Sequence, residues 1–168
     1  MPQFYDRDVT ADQAPFFLGI DAAPGRARWS SRRPGAGEVL LTGATGFIGS
    51  NLARALAAAG DAVTCLVRST SSRDRLADVR VERVLGDMSD PESLHRALRG
   101  KCLVYHVAGC LRTIRRSEFY RVNEQGTRNL LQACAAMPNP PVVVMVSSVA
   151  AAGPSHPDRL RIESDRPA

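Results

Sequence analysis

The chain has 168 residues, 44% of them hydrophobic, and a net charge of +5, enough for one domain with its own core. The charge is almost all arginine spread along the chain, with Lys101 the sole lysine; no basic stripe argues for nucleic acid, and a solvated arginine-rich surface is the plainer reading. No apolar stretch reaches membrane-spanning length, none reads as a signal peptide, and Cys65, Cys102, Cys110 and Cys134 show no C-x-x-C spacing, so no metal site or disulfide frame is expected and reduced thiols in a cytoplasmic setting fit best.

Residues 1–36 differ from the rest. Asp6, Asp8, Asp12 and Asp21 are followed by Arg26, Arg28, Arg32 and Arg33, with Pro and Gly scattered through both parts and no sustained period. This reads as a disordered or loosely docked extension, with Phe16-Phe17-Leu18 as a docking element. A transit peptide fits the arginines but not the early aspartates. A start codon assigned upstream of the true domain is the other alternative.

The domain begins near Gly37. Val39-Leu40-Leu41 is a short apolar run, and Thr42-Gly43-Ala44-Thr45-Gly46-Phe47-Ile48-Gly49 follows it. Ser50 to Ala59 is a strong helix former closed by Gly60. Strand, glycine turn and helix together suit phosphate: the first-turn N–H groups lack helical partners, the helix dipole favours an anion there, and glycines let a diphosphate approach the main chain. Gly49 would let the helix pack closely on the strand. The spacing is G-x-x-G-x-x-G rather than G-x-G-x-x-G, and a plain tight turn is the alternative. The words Thr-Gly-Ala-Thr-Gly-Phe-Ile-Gly resemble the cofactor loop of the extended short-chain dehydrogenase/reductases, the NAD-dependent epimerase/dehydratase family. The resemblance implies a doubly wound, Rossmann-like parallel α/β sheet of order 3-2-1-4-5, with helices on both faces. It also implies a dinucleotide held by Gly43, Thr45, Gly46, Phe47, Ile48 and Gly49.

Val63 to Val67 reads as the second, buried strand. An acidic residue at its end would bond a ribose 2′-hydroxyl; here Val67 and Arg68 stand instead. Arg68 offers a planar fork suited to a 2′-phosphate, which favours NADP(H) over NAD(H). One more surface arginine is the alternative. Arg73 to Leu76 begins a short helix or loop, and Val79 to Leu85 alternates as a third strand ending in Gly86-Asp87-Met88. By resemblance Asp87 and Met88 edge the adenine; a turn aspartate is equally ordinary. Asp90-Pro91-Glu92 starts a helix that Gly100 stops.

Lys101 to Ala108 contains the fourth strand and its exit. By resemblance Val107, Ala108 and Gly109 let cofactor ribose and diphosphate lie close to the backbone, and His106 shapes the site rather than donating a proton. A basic connection, residues 111–116, leads into a long amphipathic helix, Ser117 to Met137. Its words Tyr120-Arg-Val-Asn123-Glu-Gln-Gly126-Thr127-Arg-Asn129-Leu-Leu match the family's V-N-x-x-G-T-x-N-L-L. Gly126 costs about 1 kcal/mol inside a helix, so close packing on the sheet should favour it. Asn123 is the site-facing polar residue, where a buried amide needs partners; by resemblance it supports the active-site hydrogen bonds, with local capping of a bent helix as the alternative.

Val142 to Val146 is apolar on both faces, like a central strand. It delivers Ser147-Ser148; by resemblance the family's substrate-orienting hydroxyl maps to Ser148, and two serines after a strand are also common turn chemistry. Val-Ser-Ser-Val-Ala-Ala-Ala-Gly-Pro and the Tyr-Arg-Val-Asn helix look nearest the dihydroflavonol-reductase and hydroxysteroid-dehydrogenase branch, acting on a ketone or secondary alcohol.

One family element is absent. The chemistry needs Tyr-x-x-x-Lys, with the lysine lowering the tyrosine pKa. Neither Tyr5, Tyr105 nor Tyr120 is followed by lysine four residues on. The resemblance therefore covers residues 37–168 and only the amino-terminal, cofactor-binding part of the family fold. It places the proton donor beyond Ala168, in a region to which residues 154–168 lead. Two readings follow: the NADP(H)-binding part of an oxidoreductase or epimerase, or a non-catalytic dinucleotide-binding module or gene fragment. In either case the fifth strand is left at an edge, so self-association through it is expected.

Overall fold

The computed structural model describes residues 38–155 except Arg73, together with 158, 159, 161, 162 and 165. The expected amino-terminal extension, residues 1–36, lies outside the described residues, as does much of the lead-in at 154–168.

Five parallel strands form one sheet of order β3-β2-β1-β4-β5. They are β1 (Glu38–Thr42), β2 (Ala62–Val67), β3 (Glu82–Leu85), β4 (Leu103–His106) and β5 (Val142–Met145). This is the expected doubly wound order. Alternation along the strands divides the core in two. Leu40, Leu66 and Val104 face one side with Leu94, Leu98 and Leu130 from the helices there. Leu41, Val63, Cys65 and Val67 face the other with Ala53, Leu76 and Val79. Both faces are therefore covered, which is why β1 and β2 read as continuous apolar runs.

The helix α1 (Phe47–Ala58) starts three residues earlier than the sequence suggested, directly from the glycine turn. It ends as expected: Gly60 at φ +90° donates to Ala57 O (3.1 Å) and Asp61 N–H donates to Leu56 O (3.0 Å), the paired bonds of a left-handed glycine stop. Likewise α2 (Pro91–Leu98) is capped by the Asp90 carboxylate, which accepts from Glu92 N–H at 3.1 Å, and Gly100 closes it at φ +71°. The third strand is shorter than expected. Val79 is buried under α1 beside the short 3₁₀ turn Asp74–Leu76, and pairing begins only where Glu82 meets Thr64.

The expected long helix has three parts: α3 (Arg116–Phe119), a π-helical turn (Tyr120–Gln125) and α4 (Gly126–Ala135). π-turns are uncommon and concentrate at functional sites. Gly126 serves close packing, but not on the sheet: a Cβ there would lie 3.0 Å from the Met88 Cβ, in the turn after β3.

Despite its central-strand composition, β5 is an edge strand here. Val142, Val144 and Met145 are exposed, and only Val143 packs into the core. Cys65 and Cys134 are buried, Cys110 is half-buried and Cys102 exposed, all as free thiols. Among the described residues, no helix is long and apolar enough to cross a membrane and no group of His, Cys, Asp or Glu is placed to hold a metal ion.

Candidate functional site

The residues singled out in the sequence gather at the carboxyl ends of the strands. In an open parallel sheet that edge forms a crevice where the strand order reverses. Here the reversal lies between β1 and β4, which pair from Val39↔Leu103 to Thr42↔His106.

The turn after β1 is built by its glycines in different ways. Gly43 has φ +74°, and a Cβ there would lie 2.6 Å from Ala108 N in the exit of β4. A Cβ on Gly49 would drive into the Gly43 carbonyl. These two positions are closed to any side chain by the fold itself, and Gly49 packs the helix on the turn rather than on the strand. Gly46 is different: it is exposed, with ordinary φ −77°, and its Cβ would meet only Gly43 O at 3.3 Å. It caps α1 without any side-chain hydrogen bond, and the first turn contains no acidic residue. The N–H groups of Phe47, Ile48 and Gly49 precede the first helical bond, Ser50 N–H to Gly46 O at 3.0 Å. Phe47 and Ile48 have exposed side chains and Thr45 is half-buried.

At the end of β2, Arg68 is exposed. Across from it, Asp87 follows β3. Its Oδ1 accepts from both Ser89 N–H (2.8 Å) and the Ser89 hydroxyl (2.6 Å). These bonds hold the carboxyl below the usual carboxylate range, with smaller help from the charges of Arg68 and Arg121. Asp87 is thus a turn aspartate and, at the same time, an anion within the field of Arg68. Met88 is half-buried in the core, and its carbonyl accepts from Asn129 Nδ2 at 2.9 Å.

The exit of β4 is tied down from both sides. Val107 N–H donates to Thr42 O and Ala108 N–H to Thr42 Oγ1, each at 3.3 Å. Asn123 is exposed rather than buried, yet both ends of its amide are used: Oδ1 accepts from Cys110 N–H (2.6 Å) and Nδ2 donates to Cys110 O (3.0 Å). Gly109 is exposed beside this clamp, 3.5 Å from Asn123 Oδ1 at its Cβ position. Asn123 therefore holds the β4 exit from the π-turn, which is more specific than capping a bent helix.

Ser148 is exposed and caps a short 3₁₀ turn (Val149–Ala152); its Oγ accepts from Ala150 N–H at 3.2 Å. Among the described residues the Ser148 hydroxyl has no acceptor. His106, one strand over, is buried with both ring nitrogens in hydrogen bonds. It is packed within the fold, as expected, and burial pulls its pKa below the ordinary histidine range. Lys101 stands at the opposite end of the sheet, with Nζ 2.7 Å from Glu38 Oε2.

Three residues had no role assigned from sequence: Thr42, Thr127 and Ser93. Thr42 and Thr127 flank His106. Ser93, fully buried, accepts from Asp87 N–H (3.1 Å) and donates to Asp90 O (2.8 Å), anchoring the turn after β3. Two signals for Thr127 were available: its place in the matched helix words, and its position four residues after Asn123 inside a helix, where a hydroxyl bonds back to a carbonyl.

The parallel sheet, its order and the glycine turn at its switch point define a Rossmann-like α/β protein. The chain belongs to the NAD-dependent epimerase/dehydratase family, the extended short-chain dehydrogenase/reductases, whose pattern matches residues 39–167. A Synechocystis protein provisionally named dihydroflavonol 4-reductase is 42% identical over 115 residues, 67% of this chain and 33% of its own length. A ceramide reductase from Caulobacter vibrioides is 40% identical over 119 residues, 71% of this chain and 37% of its own. The crystal structure of UDP-glucose 4-epimerase from Brucella ovis in complex with NAD matches with TM-score 0.68 and 29% identity, covering 79% of this chain and 42% of that one. The chain thus spans about a third of the length of the curated relatives it matches.

Proposed function

We propose that this chain is the dinucleotide-holding part of an NADP(H)-dependent oxidoreductase or epimerase acting on a ketone or secondary alcohol. The observation that carries the reading is Gly46. Gly43 and Gly49 are glycines because the backbone around them leaves no room; Gly46 is exposed, unstrained, and opens onto an uncapped helix start. A Cβ at Gly46 would press only on the Gly43 carbonyl at 3.3 Å, so the fold demands glycine there far less than at 43 and 49; close approach of a ligand accounts for it, and the N–H groups there suit a diphosphate.

In this reading the N–H groups from Phe47 to Gly49 hold the diphosphate, while the Gly46 N–H closes the turn on Gly43 O at 3.0 Å. Arg68 pairs with the 2′-phosphate, Asp87 and Met88 edge the adenine, and Val107, Ala108 and Gly109 receive the ribose. The dinucleotide supplies hydride transfer when bound. Ser148 donates to the substrate oxygen, and Asn123 keeps the β4 exit in place beside it. Free thiols suit a cytoplasmic setting.

The test is a titration of the chain with NADP(H) and NAD(H), alone and as Gly46→Val. Binding that Gly46→Val abolishes, with helical circular dichroism unchanged, supports the reading. Equal binding by both chains would reduce the loop to a structural turn.

A further inference from the structure

A line of hydrogen bonds crosses the switch point through His106. Ala108 N–H donates to Thr42 Oγ1 (3.3 Å), and Thr42 Oγ1 lies 2.7 Å from His106 Nδ1. On the other side of the ring, His106 Nε2 lies 2.9 Å from Thr127 Oγ1, which donates to Asn123 O at 2.6 Å. Counting protons shows which arrangement satisfies every bond at once. A threonine hydroxyl has one proton, and that of Thr127 is committed to the Asn123 carbonyl. Thr127 Oγ1 must therefore accept, so Nε2 holds the imidazole proton. Burial keeps the ring neutral, leaving Nδ1 as an acceptor for the Thr42 hydroxyl. The opposite tautomer would set two acceptors, Nε2 and Thr127 Oγ1, face to face at 2.9 Å in a half-buried site, or cost Thr127 its bond to Asn123 O.

We propose that His106, held as the Nε2–H tautomer, is a positioning residue that locks the glycine loop at Thr42 to the π-turn at Asn123. The same π-turn clamps Cys110 through the Asn123 side chain. Both supports of the β4 exit, Thr42 on one side and Asn123 on the other, are thereby joined through one imidazole. A directed chain of this kind accepts only one arrangement of its members. The inference rests on the dinucleotide reading for its consequence, since the segment it fixes, Val107 to Cys110, is where that reading seats the ribose. The hydrogen-bond direction stands apart from it.

The test begins with the nitrogen-15 spectrum of the His106 ring in the 1–168 chain at neutral pH. One Nε2-protonated tautomer is expected. An Nδ1-protonated ring, or a mixture of the two, overturns the proposal. Thr127→Val, nearly isosteric, removes the acceptor; it should shift the Nε2 signal, move the amide signals of Cys110 and Asn123, and weaken dinucleotide binding about three- to tenfold, the worth of one hydrogen bond. His106→Leu should lose more binding than His106→Gln, whose amide keeps a donor and an acceptor. Unchanged Cys110 and Asn123 signals in Thr127→Val, or equal losses in the two His106 variants, would overturn it. A wild-type chain that binds no dinucleotide would sink the functional reading alone; the ring tautomer and the amide signals still decide this one.

Discussion

The carbonyl of Gly43 occupies the space where a side chain on Gly49 would begin. Because the blocking atoms are backbone, the clash has no cheap relief. Gly49→Ala is expected to destabilise the fold by about 1–3 kcal/mol, as overpacked substitutions do. Gly43→Ala adds positive-φ strain to a similar clash and should cost at least as much. Gly46→Ala, exposed and at ordinary φ, should stay within about 1 kcal/mol. Urea unfolding of the three variants checks this; equal losses at 46 and 49 would contradict the different packing of the two glycines.

Arg68 and Asp87 stand at the ends of neighbouring strands, close enough for the arginine charge to lower the Asp87 pKa. The proposed role for Arg68 predicts that Arg68→Ala weakens NADP(H) about tenfold or more, in line with a charge-assisted contact to phosphate, and NAD(H) little. Calorimetry with both dinucleotides decides it, and the same loss for each would show that Arg68 does not read the 2′-phosphate.

Acid should loosen the switch point. Burial lowers the His106 pKa in the folded chain, so between that value and the unfolded value of about 6.5 the unfolded chain binds more protons. Stability therefore rises with pH through this window and falls as pH drops through it. Asp87, also lowered, adds a loss of the same sign further down, below about pH 4. Thermal melts from pH 7.5 to 5 should show the first loss in the native chain and not in His106→Gln. A parallel decline in both would assign it to other groups.

Burial also pushes the thiols of Cys65 and Cys134 up to about 11 each, with the Arg83 charge opposing weakly at Cys65. A protonated, buried thiol is a poor nucleophile. A thiol reagent at pH 8 should modify Cys102 and Cys110 quickly, and Cys65 and Cys134 only after denaturation. Rapid modification of all four would mean that the two core faces are not packed as described.

Exposed β5 backbone beside Val142, Val144 and Met145 offers an edge for strand pairing. The chain is expected to self-associate at micromolar concentration, and Val144→Lys to reduce it, since edge lysines oppose pairing. Light scattering that finds a monodisperse monomer for the unmodified chain would rule out this use of the edge.

Much of this protein could be read from local chemistry. The turn at 43–49, the apolar runs of β1 and β2, the Asp90-Pro91 cap and the Gly60 and Gly100 stops are short-range signals, and these elements formed where read, with α1 starting three residues early and Gly49 packing on the turn. The misreadings share a different cause. Gly126 faces Met88 rather than the sheet, the helix at 116–135 contains a π-turn, β3 starts late and Asn123 is exposed. All four depend on which distant segment arrives beside the residue.

By itself, then, the sequence determined the alternation of strand and helix, the glycine turn and the family, because period, turn residues and motif words act over a few neighbours. Tertiary structure alone decided which glycine is open and which are jammed, and that Thr42, His106, Thr127 and Asn123 form one line of bonds. The Thr42–His106 contact joins residues 64 apart in the chain. No local pattern encodes a bond of that span; it exists because β1 and β4 become neighbours where the sheet reverses its order.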